Sequence, residues 1–230
     1  MEAYRLAAEA GADAIELDVH LTADGELAVI HDESLDRTTD MRGEIARLRM
    51  DEIRAADAGA TFAGPDDSFP FRDRGLTVPT LAEVLAWLPK GISLVVEVKA
   101  RAAVEPTVRA LQSSSVYADG SASVISFDEQ AIEQSRQLDP ALPTGLLLVP
   151  SDSFERGLVW ATEHGHAGIH PYEADLGMDP TQNIMQATAY GRQVGCYVVN
   201  DPNRMLQLAL AGLWGFVTDV PDVARAALTT

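Results

Sequence analysis

The sequence predicts an α/β fold, a TIM-type (β/α) barrel that lacks its first strand. Three observations predict it. Seven short β-type runs alternate with helical stretches from one end of the chain to the other, which is the pattern of a parallel sheet. The chain opens in a helix over 2–10 that leads directly into the first of those runs, where a right-handed βαβ unit places a strand before the helix. Its 230 residues suit one barrel domain, 1–230.

The strands are expected at 14–19, 94–98, 123–126, 144–148, 167–170, 194–199 and 215–218. A further β run over 27–30 follows the turn Asp24-Gly25, and it either extends a strand or starts a loop. Thr80-Leu81-Ala82-Glu83 is a capping box, in which hydroxyl and carboxylate satisfy amide hydrogens of the first helical turn. Asp179-Pro180 and Asp201-Pro202 each pair an N-cap carboxylate with a proline whose missing N–H costs nothing at the first helical position. Asp128, and Ser151 or Asp152, start two more helices, while Gly11 and Gly191 stop two. The segment 57–78 holds Phe62, Phe69 and Phe71 without periodicity. It is long for a connection, so it reads as an insertion over the active-site face.

Hydrophobic residues make up 47% of the chain and charged residues 23%, enough for a sizeable core. The formal charge is −18, from 17 basic and 35 acidic side chains. Such a surface repels nucleic acid and anionic lipid, which argues against either as a partner and against stable membrane association. A phosphate-bearing small molecule would need a local positive centre. Cys196 is the single cysteine, so no internal disulfide forms. The most apolar stretch, 206–217, is interrupted by Gln207, Gly212 and Gly215 and falls short of the roughly 18 residues of a membrane span. With no basic-then-apolar leader at Met1, a cytoplasmic chain is expected.

The chemistry concentrates in Ala14-Ile15-Glu16-Leu17-Asp18-Val19. Strand side chains alternate, so Glu16 and Asp18 share one face and Ile15, Leu17 and Val19 the other. Helices outside a barrel take the apolar face, which turns both carboxylates inward, where unpaired charge is costly. The pattern recurs at Glu97 and Lys99. Two arrangements satisfy these groups: a hard divalent cation, Mg²⁺ or Ca²⁺, in an all-oxygen site, or a salt-bridge network. His31 closes an apolar run beside Asp32 and is a candidate acid or base. His20 reads as a rim residue, His164 and His166 as structural, and His170, before Pro171, as a substrate contact.

Together these motifs resemble the glycerophosphodiester phosphodiesterases. The resemblance rests on Gly11 through Val19, Thr22-Ala23-Asp24-Gly25, His31-Asp32, Leu35-Asp36-Arg37-Thr38-Thr39, Val78 through Leu85, the strand with Glu97 and Lys99, Ser126-Phe127, Val199-Asn200 and Thr218-Asp219-Val220-Pro221. It implies metal-dependent hydrolysis of a small glycerophosphodiester to glycerol 3-phosphate and an alcohol. Glu16, Asp18 and Glu97 would hold the metal, Lys99 would contact the phosphate, and His31 would be one of two acid–base histidines.

The family's His-Arg-Gly and Pro-Glu-Asn-Thr motifs, which bring the other histidine, are not in this sequence. The chain thus reads as an N-terminally shortened domain, with free strand edges and a possible homo-oligomer. The alternatives are a non-catalytic metal- or phosphodiester-binding variant and a related lyase acting on choline phospholipids. Cys196 and Tyr197 stand in a strand where the family often has Trp and Thr.

Overall fold

The computed structural model describes residues 1–64 and 66–229; residues 65 and 230, within the expected insertion and domain, lie outside them. Seven parallel strands form one curled sheet: β1 (Ala14–Leu21), β3 (Ser93–Val98), β4 (Ala122–Ser126), β5 (Thr144–Leu147), β6 (Gly168–His170), β7 (Gln193–Cys196) and β8 (Gly215–Phe216). The short β2 (Leu27–Val29) is antiparallel on the outer edge of β1, giving the order β2-β1-β3-β4-β5-β6-β7-β8. The run at 27–30 is therefore an edge strand. The fold is a TIM-type barrel, open between β1 and β8 among the described residues.

Helices α1 (Glu2–Glu9), α2 (Met50–Ile53), α3 (Leu81–Trp87), α4 (Val104–Gln112), α5 (Ser115–Ala118), α6 (Glu129–Leu138), α7 (Phe154–Glu163), α8 (Thr181–Ala189), α9 (Pro202–Leu210) and α10 (Pro221–Leu228) complete the fold. The Thr80 capping box forms as expected: Glu83 N–H donates to the Thr80 hydroxyl at 3.2 Å, and Thr80 N–H to the Glu83 carboxylate at 2.8 Å. Asp128 and Asp201 cap α6 and α9. Two expected caps move. Ser153, rather than Ser151 or Asp152, accepts the Arg156 N–H and starts α7. Pro180 itself is the N-cap of α8, because Asp179 accepts from Thr181 in a turn one residue earlier. Gly11 and Gly191 follow their helices at φ +85° and +68°, where a side chain would be strained.

The outer faces of β1 and β3 bury Ile15, Leu17, Val19, Leu94, Val96 and Val98 against Leu81 and Val84 of α3 and Val104, Val108 and Leu111 of α4. Each such side chain contributes about 1.5–3 kcal/mol. A second cluster does the same for β5 to β7, with Leu146, Ile169 and Val194 against Leu158, Ile184 and Met205. Inside the barrel, Val95, Ile125 and Leu147 meet beneath Tyr197. Tyr197 follows β7, which ends at Cys196 rather than 199; its hydroxyl donates to Leu148 O at 2.6 Å. Likewise β8 ends at Phe216, short of the expected 218. Among the described residues no β ladder closes the ring, but the Arg225 guanidinium of α10 donates to Gly11 O and to Asp13 Oδ1 at 3.0 Å. That ties the last helix to the turn before β1.

His170 projects between β5 and β7, where a methyl group on Gly145 or Gly195 would overlap its ring. Its ring meets Trp214 edge-on at 6.2 Å. Burial pulls its pKa from 6.5 down to about 4. The unfolded chain therefore binds a proton between these values that the folded chain refuses, so this residue's contribution to stability falls as pH drops from about 6.5 to about 4. Denaturant melts across that window should show a shallower loss for His170→Gln than for the parent. Equal slopes would mean the imidazole is not held neutral.

Candidate active site

The register sets Asp18 opposite Glu97 and Glu16 opposite Val95 on the adjacent strands β1 and β3. Glu16, Asp18 and Glu97 thus face inward, and one carboxylate oxygen from each lies within 4.8 Å of the other two. Lys99, two residues past Glu97, bridges two of them: its Nζ is 2.8 Å from Asp18 Oδ1 and 2.7 Å from Glu97 Oε1. Glu97 is 7% exposed and the other two carboxylates are partly exposed.

Three carboxylates therefore face one ammonium in a poorly hydrated place. Burial, then repulsion from Asp18 and Glu97, lifts the Glu16 carboxyl well above its ordinary value, against the pull of Lys99. Burial also raises Glu97, outweighing its hydrogen bond from Lys99. Burial works against the Lys99 ammonium, but Asp18 and Glu97 overcome it and hold its pKa above the usual lysine value. The three carboxylates outnumber the one ammonium, and the atoms they offer a cation are all oxygen. Both features fit a hard divalent cation.

His31 stands at the same end of the barrel. Ile30 N–H donates to Asp18 O at 3.1 Å, and His20 Nε2 lies 3.2 Å from His31 O. His20, expected on the rim, is half-buried there, and burial lowers its pKa. The His31 ring is exposed, with Nδ1 at 2.8 Å from Asp32 Oδ1. At the same mouth, Phe127 and Tyr197 rings meet edge-on at 5.8 Å, and burial followed by the charge of Glu97 pushes the Tyr197 hydroxyl up to about 12. The structure thus brings Glu16, Asp18, Glu97 and Lys99 together and ties the backbone next to His31 to that of Asp18. It does not bring His170 there. His170 lines a separate cavity of about 250 Å³ with Ser93, Ser123, Thr144, Gln193 and Trp214. The Tyr197 plug caps the interior above. His166 is structural as expected: it is buried, bonded to Thr144 Oγ1 at 2.7 Å and Glu133 Oε1 at 3.2 Å, and stacked on Trp160.

The model of the glycerophosphoryl diester phosphodiesterase family matches residues 1–223. The chain belongs to this family. A Bacillus subtilis protein named glycerophosphodiester phosphodiesterase is 30% identical over 236 residues, which span 96% of this chain and 78% of that protein. One of that name from Caldanaerobacter subterraneus is 30% identical over 228 residues, covering 96% and 87%. Among solved structures, an Oleispira antarctica phosphodiesterase in complex with the product sn-glycerol-3-phosphate superposes with a TM-score of 0.83 at 24% identity, covering 98% of this chain and 88% of that one. A putative glycerophosphoryl diester phosphodiesterase from Silicibacter pomeroyi gives 0.85 at 24%, covering 100% and 87%. At that identity the superpositions speak for the fold.

Isothermal titration with Mg²⁺ and Ca²⁺ should give one site per chain, weakened at least tenfold by each of Glu16→Gln, Asp18→Asn and Glu97→Gln, since a charged oxygen ligand is lost. Equal affinity in all three variants would remove the metal site.

Proposed function

We propose that this chain hydrolyses glycerophosphodiesters to glycerol 3-phosphate and an alcohol at a divalent-metal site formed by Glu16, Asp18 and Glu97. The convergence of these three carboxylates with Lys99 at one end of the barrel carries the reading. Family membership supports it, as do the names of the relatives and the product bound to the Oleispira phosphodiesterase. When bound, Mg²⁺ or Ca²⁺ supplies electrostatic stabilisation of charge on the phosphoryl oxygens.

The chain's own residues do the rest. Lys99, freed in part from the carboxylates, sets a fixed positive charge beside the phosphate. His31 moves a proton to or from an oxygen of the reacting diester. Loop 57–78 leaves and rejoins the fold beside β2, through Asp57 N–H on Asp40 and Val29 N–H on Pro79 O, and on this reading covers the site of a single domain. A small diester suits a surface of charge −18 better than nucleic acid or anionic membrane. No helix among the described residues is long and apolar enough to cross a membrane. The buried free Cys196 suits a reducing cytoplasm, and the free edges of β1 and β8 suit pairing with a second copy.

One observation favours a second reading. Lys99 already satisfies Asp18 and Glu97, so the cluster can stand as a salt-bridge network in a non-catalytic binding variant. Glycerophosphocholine turnover separates the two. Glycerol 3-phosphate should appear with Mg²⁺ or Ca²⁺, vanish with a chelator, and fall by roughly 10²–10⁴ in His31→Ala. No release under any divalent ion would favour the network.

A further inference from the structure

We propose that Asp32, gripped by Arg37, is the positioning residue that holds the His31 imidazole with its proton on Nδ1 and leaves Nε2 free for proton transfer. The proposal rests on the reading of His31 as the acid–base group and adds two residues to it.

The geometry is a relay of three side chains. His31 Nδ1 lies 2.8 Å from Asp32 Oδ1. Arg37 Nε donates to Asp32 Oδ2 at 2.6 Å and its Nη2 to Oδ1 at 2.7 Å. Such a two-pronged grip matches planar guanidinium to planar carboxylate and fixes the carboxylate's orientation, which a lysine could not do. The hydrogen bonds from Arg37, then from His31, hold Asp32 well below the usual carboxylate range. Asp32 is then an anion that can only accept, so the hydrogen between it and His31 belongs to the ring. A neutral ring protonated at Nδ1 presents its lone pair at Nε2. Among the described residues, no protein group hydrogen-bonds that nitrogen.

The backbone under the relay is held as well. His31 O faces His20 Nε2, Ile30 N–H bonds Asp18 O, and Leu35, fully buried, anchors the chain between Asp32 and Arg37. The charged and titratable groups around His31 are Asp32 and Arg37 on its own loop and His20 on β1, with Glu33, Asp18 and Lys99 behind His20. The His31 and Arg37 side chains are 68% and 64% exposed. Ion pairs this exposed add little to stability, so stability does not account for a bidentate clamp on the carboxylate that holds His31. Orientation does. A free neutral imidazole favours the proton on Nε2, the opposite of what the clamp imposes.

The test is the nitrogen spectrum of ¹⁵N-histidine-labelled protein above neutral pH, with His31 assigned through His31→Gln. The parent should show His31 protonated at Nδ1. Asp32→Ala should move the proton toward Nε2. Asp32→Asn, nearly isosteric and safe for folding, should do so more completely, because its amide donates to Nδ1. Turnover of glycerophosphocholine should fall at least about tenfold in kcat in both variants with KM little changed. An Nε2 proton in the parent, or the same tautomer in parent and both variants, overturns the proposal. A flipped tautomer with kcat intact would leave the clamp standing and defeat the acid–base reading of His31 instead.

Discussion

Three carboxylates and one ammonium share the inward faces of two neighbouring strands, and the rest of the molecule has to tolerate that concentration of charge. Asp18 and Glu97 meet because β1 and β3 pair in one register. A slip of β1 by one residue would turn Glu16 and Asp18 toward the helices, away from Glu97, and bring Leu17 inside. The apolar outer face prevents it. Ile15, Leu17, Val19, Val96 and Val98 are nearly or fully buried under those helices, so the hydrophobic effect on one side of the sheet holds the charges in place on the other. Burial first, and repulsion from their carboxylate neighbours after it, raise the Glu16 and Glu97 carboxyls despite Lys99. What one lysine leaves uncompensated is what a divalent ion would neutralise.

The barrel serves this site even though its sheet is open. β2 covers only the end of β1, from Val19 to Leu21, the end that leads to His31. Across the gap the ring is tied by the Arg225 guanidinium on Gly11 and Asp13. Inside, Tyr197 closes the apolar plug of Val95, Ile125 and Leu147, dividing a charged mouth from the cavity that His170 lines. Two histidines on one fold therefore meet opposite environments. His31 is exposed beside an anion, and His170 is packed between glycines and kept neutral.

Much of this was legible in the sequence because it is written in local patterns. Alternation along 14–19 is enough to turn Glu16 and Asp18 to one face, and the Thr80–Glu83 box and Asp201-Pro202 are self-contained caps. Strand ends were less legible: β7 and β8 stop where pairing stops, which depends on neighbours far along the chain. His170 misled because its position before Pro171 suggests a strand end, whereas its direction depends on Gly145 and Gly195 on other strands. Asp32 and Arg37 stand in two separate motifs of the sequence, and their grip was not visible there, since a loop bend brings five-residue neighbours together.

The most direct measurement is anomalous diffraction from crystals soaked in Mn²⁺ and sn-glycerol 3-phosphate. The account predicts one strong peak bound by oxygens of Glu16, Asp18 and Glu97, with Lys99 turned from at least one carboxylate toward the phosphate. An absent peak, with Lys99 still bridging Asp18 and Glu97 at full soak, would contradict it.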